Sequence, residues 1–208
     1  MNTEVRIALR MTAVTLVLTG LLYPLAVTGV AQVAFPRQAN GSLVSSDERV
    51  VGSELIGQGF KSAAYFQPRP SAAGADGWDA AASSGSNLGP TAQKLRDRVG
   101  ADVARLRAEN PQAPAEVPIE LVTTSASGLD PHLSPAGAQW QVARVAAARG
   151  VPVGDVQALV DSRTEPRAFG LLGEPRVNVL LLNLDLDRRF GRPGSGTGGT
   201  RSFGTPVR

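Results

Sequence analysis

The chain contains no cysteine and a single histidine, His132, among its 208 residues. Disulfides and thiolate metal sites are therefore excluded, and histidine-rich metal centres have nothing to be built from. Aromatic residues make up 5% of the chain against 42% hydrophobic residues in all, so aliphatic side chains and alanine have to build any core. No GxxxxGK[ST] phosphate loop, GxSxG or HExxH occurs. A serine triad would need His132, which sits in the turn sequence Leu129-Asp130-Pro131-His132-Leu133, and no hydrolase is expected. Excess charge is also scarce. The net charge is +3, yet residues 191–208 carry three arginines and no acid, which leaves 18 basic and 18 acidic residues elsewhere. A nucleic-acid reader needs a concentrated basic face, and this balance predicts none.

The chain does have one long uncharged run. The 26 residues between Arg10 and Arg37 are mostly Leu, Val, Ala, Thr and Gly. As a helix the run would reach roughly 39 Å, enough to cross a bilayer core with room for tilt. A transmembrane helix is predicted over 11–35, after a short cytoplasmic N-terminus at 1–10. A cleaved signal peptide is the alternative, but the run outlasts a signal's apolar part and lacks a clear small-x-small cleavage site. Gly20 and Pro24 lie in mid-span, where neighbouring helices can absorb a kink. Gly20, Pro24 and Gly29 are candidate contacts for a membrane partner besides the lipid bilayer itself. Arg6, Arg10 and the terminal amine outweigh Arg37 and Arg49, which predicts the N-terminus inside and the following domain outside the cell membrane.

Residues 36–190 are predicted to form a soluble α+β domain, and residues 191–208, rich in Gly, Ser, Thr and Pro, a disordered tail. Arg49–Gln58 reads as strand then turn, and Ala72–Pro90 as a long loop. Leu95, Val99, Val103 and Leu106 mark an amphipathic helix over 92–108. Ser134-Pro135 opens a helix over 135–149 that Gly150 closes. On that helix Trp140 points away from Ala138, so the helix is buried on two sides or sets Trp140 against a partner. A short helix carrying Val156, Leu159 and Val160 follows. Residues 119–123 and Val177–Leu186 read as strands of one sheet, the second of them buried. Arg144–Val160 has the outline of a helix-turn-helix, but its second helix offers Asp155, Gln157 and Asp161, and two packed helices are the expectation. Ser83, Ser84, Gly85, Ser86 and Asn87 can form a glycine-permitted turn with amides aimed at an anion, or a plain surface loop.

Several segments together resemble the C subunit of the bacterial Kdp potassium-transporting P-type ATPase. They are Gly52–Gln58, Tyr65–Ala72, Ser86–Pro90, Gly128–Pro135 with Gln141, Arg144 and Val145, and Gly173–Leu180 with Leu182-Asn183-Leu184. Tyr23-Pro24 and Gln38–Leu43 fit as well, so the resemblance covers roughly residues 5–189. It implies a non-catalytic accessory subunit, consistent with the missing phosphorylation signature. The implied partners are the potassium-channel-like A subunit, the P-type B subunit that hydrolyses ATP, and the small single-span F peptide. The implied role is to stabilise assembly and raise the ATP affinity of the catalytic subunit.

In the family a serine-glycine loop and a glutamine are proposed to touch nucleotide, and they match Ser83–Asn87 and Gln141. No cofactor is expected to be held firmly; ATP would be shared with the catalytic subunit. Ser84 stands where the family usually has glycine, which makes a left-handed turn there costlier. ATP contact and an external domain exclude each other. The competing reading is a membrane-anchored external binding module unrelated to transport.

Overall fold

The computed structural model describes residues 2–193. It divides into two compact units that meet between Ser53 and Glu54.

The first unit begins with one long helix in three consecutive parts: α1 (Thr3–Val17), a π-helical turn (Leu18–Leu22) and α2 (Tyr23–Ala34). The π turn ends two residues before Pro24. A proline ring has no N–H to donate and collides with the carbonyl four residues back, here that of Gly20; a widened turn relieves the clash. The Thr19 hydroxyl donates to the Thr15 carbonyl at 2.8 Å along the same stretch. The helix starts eight residues ahead of the expected 11–35 span, with Glu4 in its first turn, where the helix dipole favours an acid. At 32 residues and a mean hydropathy of 1.9, it is the one helix among the described residues long and apolar enough to cross a membrane. None of its residues is buried by the chain itself.

A single helical turn, α3 (Pro36–Ala39), leads into a hairpin of β1 (Leu43–Ser46) and β2 (Arg49–Ser53). Asp47 and Glu48 both have positive φ, 50° and 63°, as the mirror-image hairpin turn requires. A bulge between Val44 and Ser45 shifts the register.

The second unit has no helix or strand between Glu54 and Ala92. It continues with α4 (Gln93–Glu109), a 3-10 turn (Ile119–Leu121), β3 (His132–Leu133), α5 (Pro135–Arg149), α6 (Val153–Ser162), β4 (Thr164–Glu165), β5 (Arg176–Asn178) and α7 (Val179–Phe190). The three strands form a small antiparallel sheet in the order β3-β5-β4. Helix α5 is specified at both ends as the sequence predicts. Ser134 Oγ accepts from Gly137 N at 3.1 Å, and Gly150 closes the helix at φ 67°. Ser134 also donates its N–H and hydroxyl to the Glu120 carboxylate, which sits at the positive end of α5. The core joins Leu106 of α4, the inner faces of α5, α6 and α7, Val177 of β5, and Phe66 from the irregular stretch. The unit is thus an α+β domain after a single apolar helix, the predicted class.

Two expected strands are otherwise. Residues 119–123 hold the 3-10 turn Ile119–Leu121, and Val177–Leu186 is strand only to Asn178 before turning into α7. The alternation of Leu182, Leu184 and Leu186 with Asn183, Asp185 and Asp187 imitates a strand, but Asn178 decides the matter. Its side chain accepts from Leu181 N at 3.1 Å and caps a helix. Leu181, Asp185 and Arg188 then fall on the outer face at helical spacing, while Leu182 and Leu186 are buried. Of the expected tail, residues 194–208 lie outside the described residues.

Candidate functional site

The most polar buried region of the domain is built around residues 63–67, a stretch with no regular structure of its own. Five successive carbonyls leave this stretch without a strand neighbour, and each is met by a side chain from α5 or α7. Arg144 donates to Ala63 O at 2.6 Å and to Tyr65 O at 3.1 Å, and Arg149 Nε donates to Ala64 O at 2.7 Å. Asn183 Nδ2 donates to Phe66 O at 2.9 Å while its Oδ1 accepts from Phe66 N at 2.8 Å. Gln141 does the same one residue on: Nε2 donates to Gln67 O at 3.0 Å, and Oε1 accepts from Gln67 N at 2.8 Å. Each carboxamide thus pairs with a peptide as one strand residue pairs with another. Buried backbone polar groups must be paired, and a chain segment inserted between helices has no ladder to supply partners.

Gln141 is 2% exposed and uses its whole bonding capacity inside the domain. Besides the two bonds to Gln67, its Oε1 accepts from Arg144 at 2.7 Å and its Nε2 donates to Gly137 O at 3.4 Å. Arg144 is buried against neutral oxygens alone in these bonds, and burial draws its pKa below the ordinary guanidinium value. Arg149 has an acid partner, Asp187, at 2.8 Å, and its guanidinium lies 4.9 Å over the Tyr65 ring. The Tyr65 hydroxyl completes the network by donating to Asp187 Oδ2 at 2.8 Å. Burial, reinforced by that carboxylate, pushes the Tyr65 phenol up to about 12.

Beside Gln141 lies a cavity of about 250 Å³, walled by Phe60, Trp78, Pro68, Pro70, Arg105 and Gln141. This is below the roughly 300–1,000 Å³ of ordinary small-molecule sites.

The Ser83–Asn87 loop does not line that cavity. It packs instead on residues 125–128. Ser84 N and Ser83 Oγ both donate to Ser127 O, at 2.9 and 3.0 Å. Gly85 comes so close that a Cβ there would lie 2.9 Å from Ala126 O. Ser84 is not left-handed, so the strain expected of a serine there does not arise; Asn87 takes the positive φ, 50°, and tolerates it better than most residues.

Trp140 is also spent within the chain. Its indole N–H donates to Pro114 O at 3.0 Å, and its own carbonyl accepts from Asn110 Nδ2 at 2.5 Å, so the segment after α4 covers it. In the other unit Gly20 and Gly29 are open, with no atom within 4 Å of where a Cβ would stand, and Pro24 is exposed. The sequence alone gives Arg149 and Asp187 no role, and Asn183 figures in it only within the resembling segment Leu182-Asn183-Leu184. The signal that points to them is a polar residue recurring on an otherwise apolar helical face, Gln141–Arg144 on α5 and Asn183–Asp187 on α7.

A family model described as "KdpC: K+-transporting ATPase, c chain" matches residues 5–188. A protein of Myxococcus xanthus named "Potassium-transporting ATPase KdpC subunit" is 65% identical over 205 residues, covering 96% of this chain and 97% of the relative. Proteins of the same name from Nitratidesulfovibrio vulgaris and Caulobacter vibrioides are 58% and 59% identical, over 86% and 84% of this chain and 92% and 87% of theirs.

Proposed function

The chain belongs to the KdpC family of K+-transporting ATPase c chains, and from that premise we propose that it is the non-catalytic accessory subunit that stabilises assembly of the pump in the bacterial cell membrane. Membership sets aside a binding module unrelated to transport. The observation that carries the assembly reading is the long apolar helix with no residue buried by its own chain and with Gly20 and Gly29 open along it. In lipid, helices associate through small residues that let backbones approach closely. The partners on this reading are the channel-like A subunit, the ATP-hydrolysing B subunit and the F peptide, with the bilayer around them. The test is Gly20→Leu with Gly29→Leu, scored by co-purification of the channel-like and P-type subunits. At least a fivefold fall in recovery is expected, and unchanged recovery would remove the helix from the interface.

The second reading, that the chain raises the ATP affinity of the catalytic subunit, rests on the cavity beside Gln141 with its Trp78 and Phe60 rings and Arg105. It needs the domain on the ATP side of the membrane, whereas the positive charge at Arg6 and Arg10 favours the opposite side. The chain has no cysteine, so Ala158→Cys, on the exposed side of α6, would be its only thiol. Labelling of intact cells by an impermeant maleimide at position 158, but not at Asn2→Cys, places the domain outside and ends direct ATP contact by Gln141 or Ser83–Asn87. The reverse pattern makes the nucleotide reading the leading one.

A further inference from the structure

The loop between β4 and β5 stands out as an apolar surface that the domain does not use. Phe169, Leu171 and Leu172 are 94%, 80% and 64% exposed. The loop is nonetheless ordered by its own backbone. Ala168 and Leu172 exchange N–H···O bonds at 2.9 Å in both directions, and Leu171 N donates to Ala168 O at 3.2 Å. Phe169 is held at φ 54°, next to Gly170 at φ 75°. The turn requires positive φ here, but a bulky aromatic in that region is strained, and residues so strained cluster at functional sites. Here the chain places the most exposed large hydrophobic side chain among the described residues in a conformation that costs energy, and buries almost none of it.

Charge is arranged so that the tip can be dried. Residues 168–173 carry none. At the base of the hairpin each arginine faces an acid of the opposite arm: Arg167 pairs with Glu174 at 2.5 Å and Arg176 with Glu165 at 2.9 Å. The hairpin is therefore neutral as a whole, and no unpaired charge has to be desolvated with the tip.

We propose that the tip formed by Phe169, Leu171 and Leu172 inserts into an apolar, uncharged pocket on another protein subunit of the transport complex. This rests on the reading of the chain as a subunit of that complex. Neutrality argues against an anionic lipid surface, which attracts an excess of Lys and Arg. The tip also lacks the Trp and Tyr that favour the membrane interface. The area argues against a second copy of this chain. Three such side chains offer roughly 400 Å², half of the about 800 Å² per partner in a stable interface. A single aromatic anchor flanked by aliphatic groups is instead the pattern of an energetic centre inside a larger contact.

The experiment uses the full chain co-expressed with the other pump subunits. A photo-crosslinking benzoylphenylalanine in place of Phe169 should give an adduct with the mass of this chain plus one other subunit. An adduct with lipid, an adduct with a second copy, or no adduct in a recovered complex would each overturn the proposal. Phe169→Gly relieves the backbone strain, and Leu171→Ser removes apolar area without touching it. Each should lower recovery of the salt-washed complex at least tenfold, and recovery equal to that of the unsubstituted chain would overturn the proposal independently. Failure of the unsubstituted chain itself to co-purify would instead sink the complex reading on which the proposal stands.

Discussion

Gln141 and Asn183 lie on different helices, α5 and α7, yet grip consecutive peptides: Asn183 both bonds of Phe66, Gln141 both bonds of Gln67. Two carboxamides thereby do for an irregular segment what a neighbouring strand does inside a sheet. The distances, 2.8 to 3.0 Å, are those of good N–H···O bonds.

Gln141→Ala leaves the N–H and C=O of Gln67 without partners and removes one acceptor from Arg144. We expect a loss of about 2–4 kcal/mol, since each orphaned buried group costs about 1–3 kcal/mol. Urea unfolding of the full-length chain in detergent measures it. Asn183→Ala should lose a similar amount, and the double variant less than the sum, because the two amides hold one segment. ATP dependence of the assembled pump separates the two readings. A structural Gln141 leaves the apparent ATP affinity of recovered complexes unchanged, whereas a nucleotide contact weakens it.

Asp187→Asn should cost about 3 kcal/mol, because it strands the buried charge of Arg149. Thermal unfolding at neutral pH reads this, and a change under 1 kcal/mol would show that the pair is solvated rather than buried.

Tyr65 gives the domain an alkaline limit. The folded state holds its phenol proton more tightly than the unfolded chain does, since the pKa rises from 10.0 to about 12. The corresponding stability is complete below pH 10.0 and drains away as pH climbs to about 12. Tyr65→Phe should remove that slope. The difference between parent and variant in urea midpoint, followed across this window, checks it; parallel curves would refute the assignment.

Asp130 behaves in the opposite sense. Burial by itself raises its pKa, but the bonds from His132 and the Arg69 guanidinium at 3.2 Å outweigh it and hold the carboxyl below its ordinary 3.8. The folded state therefore favours the carboxylate. Its contribution is present above pH 3.8 and disappears as acid protonates it below that value. In Asp130→Asn the fall of the unfolding midpoint as pH drops below 3.8 should be shallower than in the parent; an unchanged slope would discount the interaction.

Gly128 should not accept a side chain. Its φ is +67°, and a Cβ would lie 2.4 Å from Ser84 O and 2.8 Å from Ala73 N. Gly128→Ala is expected to cost about 2 kcal/mol or more and to release the loop at 72–90. Limited proteolysis would then cut in that loop first, and a parent-like digestion pattern would show that the loops do not depend on each other.

The helices were legible in the sequence where their ends carry local chemistry. Ser134-Pro135 and Gly150 bracket α5, and the spacing of Leu95, Val99, Val103 and Leu106 lays out α4. The misreading of Val177–Leu186 has a specific origin. Alternating Leu with Asn and Asp satisfies period two, and the helix is chosen by one capping bond from Asn178, which also donates to Glu54 O at 2.8 Å far away in the chain. The polar centre was less legible still. Residues 63–67 have no pattern because their partners come from helices 74 to 122 residues further along. Gln141 and Asn183 stand out only through the family resemblance, Asn183 without an assigned role and inside a leucine run. Trp140 marked a buried edge correctly, but the surface it meets is the Asn110–Pro114 stretch of its own chain.

Those long spans also set an order of events at birth. Ala63–Gln67 leaves the ribosome early, but the groups that hold it arrive with Gln141, Arg144 and Arg149, and the last of them with Asn183 and Asp187. Contacts so distant in sequence form slowly. Until α7 has been made, an extended stretch with five unmatched carbonyls and a bare Phe66 must wait open, which makes α7 the latch that closes the domain.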